Sequence, residues 1–435
     1  MDILQSIVNF ITGEIFNDAT KVFGLVAFIG LLLQRKRIED IFTGTVRTMI
    51  GWIILIAGVG MLFVNINPAT EILRHGFAGR YEAEILARAA EGQSAKFFSD
   101  YGPQIGLIMV GAFIVNIILA RITPFKIVWM TMNILLQNTW FVLAILLTVT
   151  TWNITIIIIV AILFLGFWHT FIPWATLPWS RKVIGGDDFT LGHAIHLSTI
   201  LTAWLAKYVG KKEDSAEDIK FPERLSFLSD PIIMTILIFL FVYLVGVIAA
   251  GPAWVSEKYA GGKNPWIWMI ISAITGGTGM AILFYGVKML LAELVAAFKG
   301  IADKLVPGAI PALDMPVFFG YAPNSLMIGF ITHLIVGTII MFIVVGVAPL
   351  YIVFPAIVPA FFEAGTCGIF GNATGGKRGA VLGGVISAVL DYGGLIFLIP
   401  IITPMADYAR QFPLADYTII FNLLGHIISL FTGVP

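Results

Sequence analysis

Long apolar runs constrain this chain more than any other feature. A helix needs about 20 consecutive apolar residues to cross the hydrocarbon core of a bilayer. Runs of that kind recur at roughly 20–34, 44–64, 102–120, 127–148, 153–172, 231–250, 265–291, 325–347, 349–362, 379–402 and 416–432. Composition agrees: 12% of residues are charged, half of the roughly 25% usual in soluble domains. The reading is an all-α integral membrane protein with ten to eleven transmembrane helices. The run at 349–362 is short for a span and reads as one half of a re-entrant hairpin. A formal net charge of zero gives no reason to expect a nucleic-acid partner. The single cysteine, Cys367, excludes an internal disulfide. The opening stretch MDILQSIVNFITGEIFND lacks the basic region and cleavage site of a signal peptide and reads as an interfacial helix.

Basic residues orient the spans. The stretch QRKRIED (Gln34 to Asp40), the pair Arg121 and Lys126, and the cluster Arg181, Lys182, Lys207, Lys211, Lys212, Lys220 and Arg224 all fall on one side if the N-terminus is outside. Residues 178–230 then form a cytoplasmic segment. It reads as a solvated amphipathic linker or, alternatively, as a docking face for a soluble partner.

The segments flanking this linker echo one another. YGPQIGLIMVGAFIVNIILA (Tyr101 to Ala120) resembles YAPNSLMIGFITHLIVGTII (Tyr321 to Ile340), and Gly58 to Ile72 loosely matches Gly286 to Ile301. An odd number of spans separates the copies, so the second is inverted. The division is therefore a first inverted repeat at 1–177, the linker at 178–230 and a second inverted repeat at 231–435. Inverted repeats with interrupted helices are the architecture of transporters that bind solute near the membrane midplane. Interrupted backbone is tolerated there only beside protein or a wet cavity, because hydrocarbon cannot satisfy its polar groups.

Polar residues within this apolar background mark candidate contacts. Asp314 lies between Pro311 and Pro316 in LVPGAIPALDMPVFFGYAPN (Leu305 to Asn324). A charge near the bilayer centre costs about 2.5–3.5 kcal/mol on insertion scales. Asp314 therefore reads as an acceptor for solute hydroxyls, or else as a capping acid at a helix start. His193 reads as a neutral hydrogen-bonding ring. His196 stands three residues on, but no third ligand of matching spacing follows, so no metal is expected. Asn133 and Gln137 are one turn apart and can face one cavity; amides in a span otherwise stitch helices together. FFEAGTCGIFGNATGGKRGAV (Phe361 to Val381) reads as a hairpin tip or a loop, with Glu363, Thr366 and Asn372 as polar handles. No P-loop, zinc-protease or nucleophile-elbow motif is present. Cys367 has no nearby base, so a catalytic thiolate is not expected.

Several strings resemble the membrane component, enzyme IIC, of the ascorbate-type bacterial phosphotransferase system. They are Gly286–Met289, Ala292–Leu294, Pro307–Ala309, Asp314, Ala322–Asn324, GKKEDSAEDIKFP (Gly210 to Pro222), and Phe361–Phe362 with Thr366, Gly368, Asn372, Gly375–Gly376 and Arg378. The resemblance implies a homodimer in the bacterial inner (plasma) membrane, with a V-shaped scaffold domain and a mobile core domain. It implies a carbohydrate substrate that a soluble IIB partner, charged by IIA, phosphorylates at the cytoplasmic face. No phosphoryl-carrying residue and no cofactor is implied for this chain. Asp314, His193 and Gln137 match family substrate contacts. Asn133 stands where the family pattern has His, and Ala194 where it has Gln. The resulting expectation is a permease subunit for an ascorbate-like carbohydrate, with Asp314, His193, Gln137, Asn133, Ala194 and Thr366 at its site. The alternative is a proton-coupled carrier on the same fold, with Asp314 and Glu363 as proton sites.

Overall fold

The computed structural model describes residues 18–78, 93–219, 230–304, 306–347 and 360–434, with a few isolated positions beside them. Its helices are α1 (Ala19–Leu33), α2 (Ile38–Ala78), α3 (Gln93–Ile122), α4 (Met132–Val149), α5 (Ile154–Ile184), α6 (His196–Val209), α7 (Pro231–Ala250), α8 (Pro252–Lys258), α9 (Pro265–Lys304), α10 (Pro323–Val347), α11 (Gly365–Leu398), α12 (Ala406–Gln411) and α13 (Asn422–Thr432). Three short strands accompany them: β1 (Ile127–Trp129), β2 (Thr190–Leu191) and β3 (Ile310–Leu313). Among the described residues, eight helices are long and apolar enough to cross a membrane, and two shorter apolar helices, Thr20–Leu33 and Asp416–Thr432, accompany them. The expected short run at 349–362 lies mostly outside the described residues. The expected run at 379–402 is the second arm of a longer element, α11.

Helices α1, α2, α7 and α9 pack on one another. Lipid gives helices no hydrophobic drive to associate, so small residues that let backbones approach supply the packing. Here those residues are glycines. A Cβ on Gly286 of α9 would stand 2.3 Å from the Leu55 nitrogen of α2, and one on Gly58 would stand 2.4 Å from the Leu283 nitrogen. α1 joins through Gly30, which leaves no room for a side chain against the Ala297 backbone.

A second group gathers α6 and α10 around α11. α11 is a helical hairpin. Gly376 turns it with φ 59° and ψ −153°, a backbone region open in practice only to glycine. The arms lie antiparallel and nearly touch: Gly371 faces Gly379, and Gly383 faces Cys367 and Gly368.

The strands form a parallel sheet in the order β1-β3-β2, with Ile127 opposite Ile310 and Thr190 opposite Ala312. Proline is unusual in a central strand because it has no N–H to donate. Pro311 is tolerated because the flanking ladder bond, from Ile310 N–H to the Lys126 carbonyl at 2.8 Å, faces β1. The alternate position then faces β2, which begins only opposite Ala312. The free edge of β1 is also covered. Asn116 of α3 accepts from Trp129 N–H at 3.0 Å and donates to the Ile127 carbonyl at 3.0 Å, so the edge leaves no unpaired group there.

Part of the 178–230 segment packs inside the protein. Its first residues continue α5 to Ile184, Thr190–Leu191 join the sheet, and α6 packs into the interior with His196, Ser198, Thr199 and Thr202 fully buried. Those polar residues imitate a solvated face in sequence while lining the inside of the protein. Residues 211–217 then strap the hairpin tip. Lys377 N–H donates to the Asp214 carbonyl at 2.8 Å, and Ala216 N–H donates to Asn372 Oδ1 at 2.9 Å. Glu217 accepts from the first turn of α10, taking Asn324 N–H at 3.1 Å and Ser325 N–H at 2.9 Å. The two matched tyrosines stand in different local structure: Tyr101 is inside α3, whereas Tyr321 closes a 3-10 turn ahead of α10.

Candidate functional site

Each strand of the sheet runs into a helical turn, and the three junctions fall at one edge. β1 leads through Met130 and Thr131 into α4, β2 through Gly192 to Ile195 into α6, and β3 into the 3-10 turn Met315–Tyr321. The strands are parallel, so their carboxyl ends point the same way, and this edge is where open parallel sheets place ligands. It carries Asn133 and Gln137 from the first junction, His193 and Ala194 from the second and Asp314 from the third.

Asp314 is enclosed, with its side chain 16% exposed, and His193 is at 8%. The carboxylate accepts Met315 N–H at 2.7 Å and thereby caps the 3-10 turn. Its Oδ1 also lies 3.8 Å from His193 Nε2, beyond a direct hydrogen bond. Asn133, on the exposed side of the site, is a hydrogen-bonding neighbour of Asp314. Burial pushes the Asp314 carboxyl up to about 6 and holds His193 down at about 3. At neutral pH the pair is thus a carboxylate beside a neutral imidazole, an acceptor next to a ring that can donate or accept.

Several buried atoms around this edge have no hydrogen-bond partner. They are Thr131 Oγ1, Gln137 Oε1 and His193 Nδ1, with His196 Nε2 just beyond. A buried polar atom without a partner costs about 1–3 kcal/mol, and native proteins carry few of them. Their concentration where three strands end is the arrangement a polar solute would complete.

Two expected residues contribute less. The Ala194 side chain cannot hydrogen-bond; its carbonyl accepts Asp416 N–H at 3.2 Å. Thr366 spends its hydroxyl hydrogen on the Phe362 carbonyl, 2.7 Å away in the turn that leads into α11.

Residues 14–416 match the family described as the PTS system sugar-specific permease component, EIIC-GAT. The chain belongs to that permease family. It is also similar to the "Ascorbate-specific PTS system EIIC component" of Mycoplasma pneumoniae (strain ATCC 29342 / M129 / Subtype 1). The two are 29% identical over 409 residues, covering 83% of this chain and 62% of the relative. The chain thus spans less than two thirds of the length of the curated relative it matches. Its apolar helices make this permease-family member a multi-pass membrane protein.

The chain holds its second junction with a residue that the sequence reading passed over. Asp416 accepts Leu197 N–H at 2.8 Å and His196 N–H at 3.1 Å while its own N–H reaches Ala194. The residue before α6, Ile195, offers no side-chain cap, so Asp416 satisfies the exposed N–H groups of that helix from 220 residues away. The signal available in sequence was an acid at the head of the last apolar run. Its partners are remote, and nothing local marked them.

Proposed function

We propose that this chain is the membrane permease subunit, enzyme IIC, of a phosphoenolpyruvate-dependent phosphotransferase system and carries an ascorbate-like carbohydrate. The observation that carries the reading is the gathering of Asp314, His193, Gln137 and Asn133 at one edge of the parallel sheet, with unpartnered buried atoms among them. Solute hydroxyls donate to Asp314 and Gln137 Oε1 and bond the His193 ring. The name of the Mycoplasma relative supports an ascorbate-like solute. Asn133 offers an amide at the rim, and Ala194 offers no side-chain bond, so the set of hydroxyl contacts differs from the family pattern at both positions.

In this reading α1, α2, α7 and α9 form the V-shaped scaffold. The sheet with α10 and α11 forms the core that moves, and the α11 hairpin is re-entrant. Two inverted repeats build both parts, and two copies form a homodimer in the inner membrane. A IIB protein, charged by IIA, phosphorylates the solute on the cytoplasmic side. The added charge prevents its return through hydrocarbon, so direction comes from the phosphoryl donor.

The test is uptake of labelled L-ascorbate by vesicles bearing the chain. Accumulation of a phosphorylated product that requires phosphoenolpyruvate and the soluble IIA and IIB proteins supports the reading. Uptake of unmodified solute driven by a proton gradient alone contradicts it and supports the secondary-carrier alternative.

A further inference from the structure

His169 of α5 and His196 of α6 are both fully buried, and each keeps one ring nitrogen without a partner: Nδ1 on His169 and Nε2 on His196. The bonds at their other nitrogens fix what those free atoms are. Tyr417 donates to Asn138 Oδ1 at 2.8 Å, so it is the Asn138 NH2 group that meets His169 Nε2 at 2.7 Å. Nε2 therefore accepts, the ring hydrogen sits on Nδ1, and the unpartnered atom of His169 is a donor. At His196 the Thr176 hydroxyl gives its hydrogen to the Ile172 carbonyl at 2.9 Å, so it accepts from Nδ1 at 2.8 Å. That ring too carries its hydrogen on Nδ1, and the unpartnered Nε2 of His196 is an acceptor.

A free donor and a free acceptor thus occur on two rings that share a wall. Both pack on Trp129, with ring centroids 4.3 Å and 6.2 Å away. His196 opens α6 three residues after His193, the ring beside Asp314, which ties the pair to that site. One group that accepts a hydrogen bond and donates another would satisfy both rings. A hydroxyl does so. A carboxylate has no hydrogen for His196 Nε2, and a metal cation cannot accept from His169 Nδ1–H.

We propose that the free nitrogens of His169 and His196 face each other beside the Trp129 ring and form a subsite for a single hydroxyl group, which accepts from His169 Nδ1 and donates to His196 Nε2. The hydroxyl is either one belonging to the transported solute or that of an ordered water at the inner wall of the site. The solute source rests on the proposed function; the subsite itself does not.

The experiment is nitrogen NMR of the full chain carrying 15N-histidine, in detergent micelles, with and without saturating L-ascorbate. His169→Phe and His196→Phe assign the two rings and keep a ring on Trp129. The expected spectrum has both rings neutral with the hydrogen on Nδ1, and both otherwise unpartnered nitrogens hydrogen-bonded. If these bonds form or shift on adding ascorbate, and each Phe variant binds ascorbate about tenfold more weakly, the hydroxyl is the solute's. If they are present and unchanged in both states, the hydroxyl is water. A hydrogen on Nε2 of either ring, or free nitrogens that stay unbonded with and without ascorbate, overturns the proposal. Bonded rings in a protein that does not bind ascorbate count against the ascorbate reading and leave the subsite standing.

Discussion

Asp314 has a structural role and, in the proposed function, a binding role as well. Its carboxylate caps the turn that follows β3, so the capping reading made from sequence is correct for one of its bonds. It is also an enclosed acceptor 3.8 Å from His193. Asn in its place would keep the capping oxygen and lose the charge. Asp314→Asn is therefore expected to weaken solute binding by one to two orders of magnitude, about 1.5–3 kcal/mol for a hydrogen bond to a charged group. The thermal unfolding midpoint should hardly change. Binding should also depend on pH in a defined direction. The carboxyl titrates at about 6, and the ionised form is the acceptor, so affinity should fall as pH drops below that value, by at most about tenfold per unit. Equilibrium binding measured from pH 5 to 8 checks this, and the Asn variant should lack the dependence. Asp314, His193 and Gln137 could be picked out in the chain because each breaks an apolar or proline-rich run. Asp416 and His169 could not, because their partners come from other elements and a single span gives no cue to them.

At the scale of elements, the long helices were readable because hydrocarbon thickness imposes a length on any spanning run. The sheet was not. Its strands are two to four residues long, and Pro311 in the central one argues against a strand unless the stagger of its neighbours is known. The burial of α6 was not legible for a related reason: its buried Ser198, Thr199 and Thr202 give a polar face that reads as solvated when its packing partner is unseen. The glycine-rich run at 361–381 was read as a hairpin tip or a loop, and the backbone turn at Gly376 makes it a helical hairpin. The close approach of its arms gives a test. A Cβ on Gly379 would lie 2.1 Å from the Gly371 carbonyl oxygen, and backbone on both sides leaves little room to relax. Gly379→Ala is expected to destabilise the protein by about 1–3 kcal/mol, the usual cost of overpacking, read as a lower unfolding midpoint in detergent. Gly393→Ala, where a Cβ meets nothing within 4 Å, is the control and should be near neutral.

At the scale of the whole molecule, the packing crosses the boundary drawn in sequence. α2 from the first repeat segment lies against α9 from the last, and β3 from the last lies between β1 of the first and β2 of 178–230. Such interleaving is what two intertwined repeats would produce. The 47.5-kDa chain is expected to run as a dimer, and native mass spectrometry from detergent should give a mass of two chains; a purely monomeric spectrum at micromolar protein would contradict the homodimer.

The most direct measurement is a cryo-EM structure of the full chain with L-ascorbate bound. The account predicts solute density at the carboxyl ends of the three strands, within hydrogen-bond distance of Asp314, His193 and Gln137. Density for the solute elsewhere, or Asp314 facing open solvent with no solute beside it at saturating concentration, would contradict it.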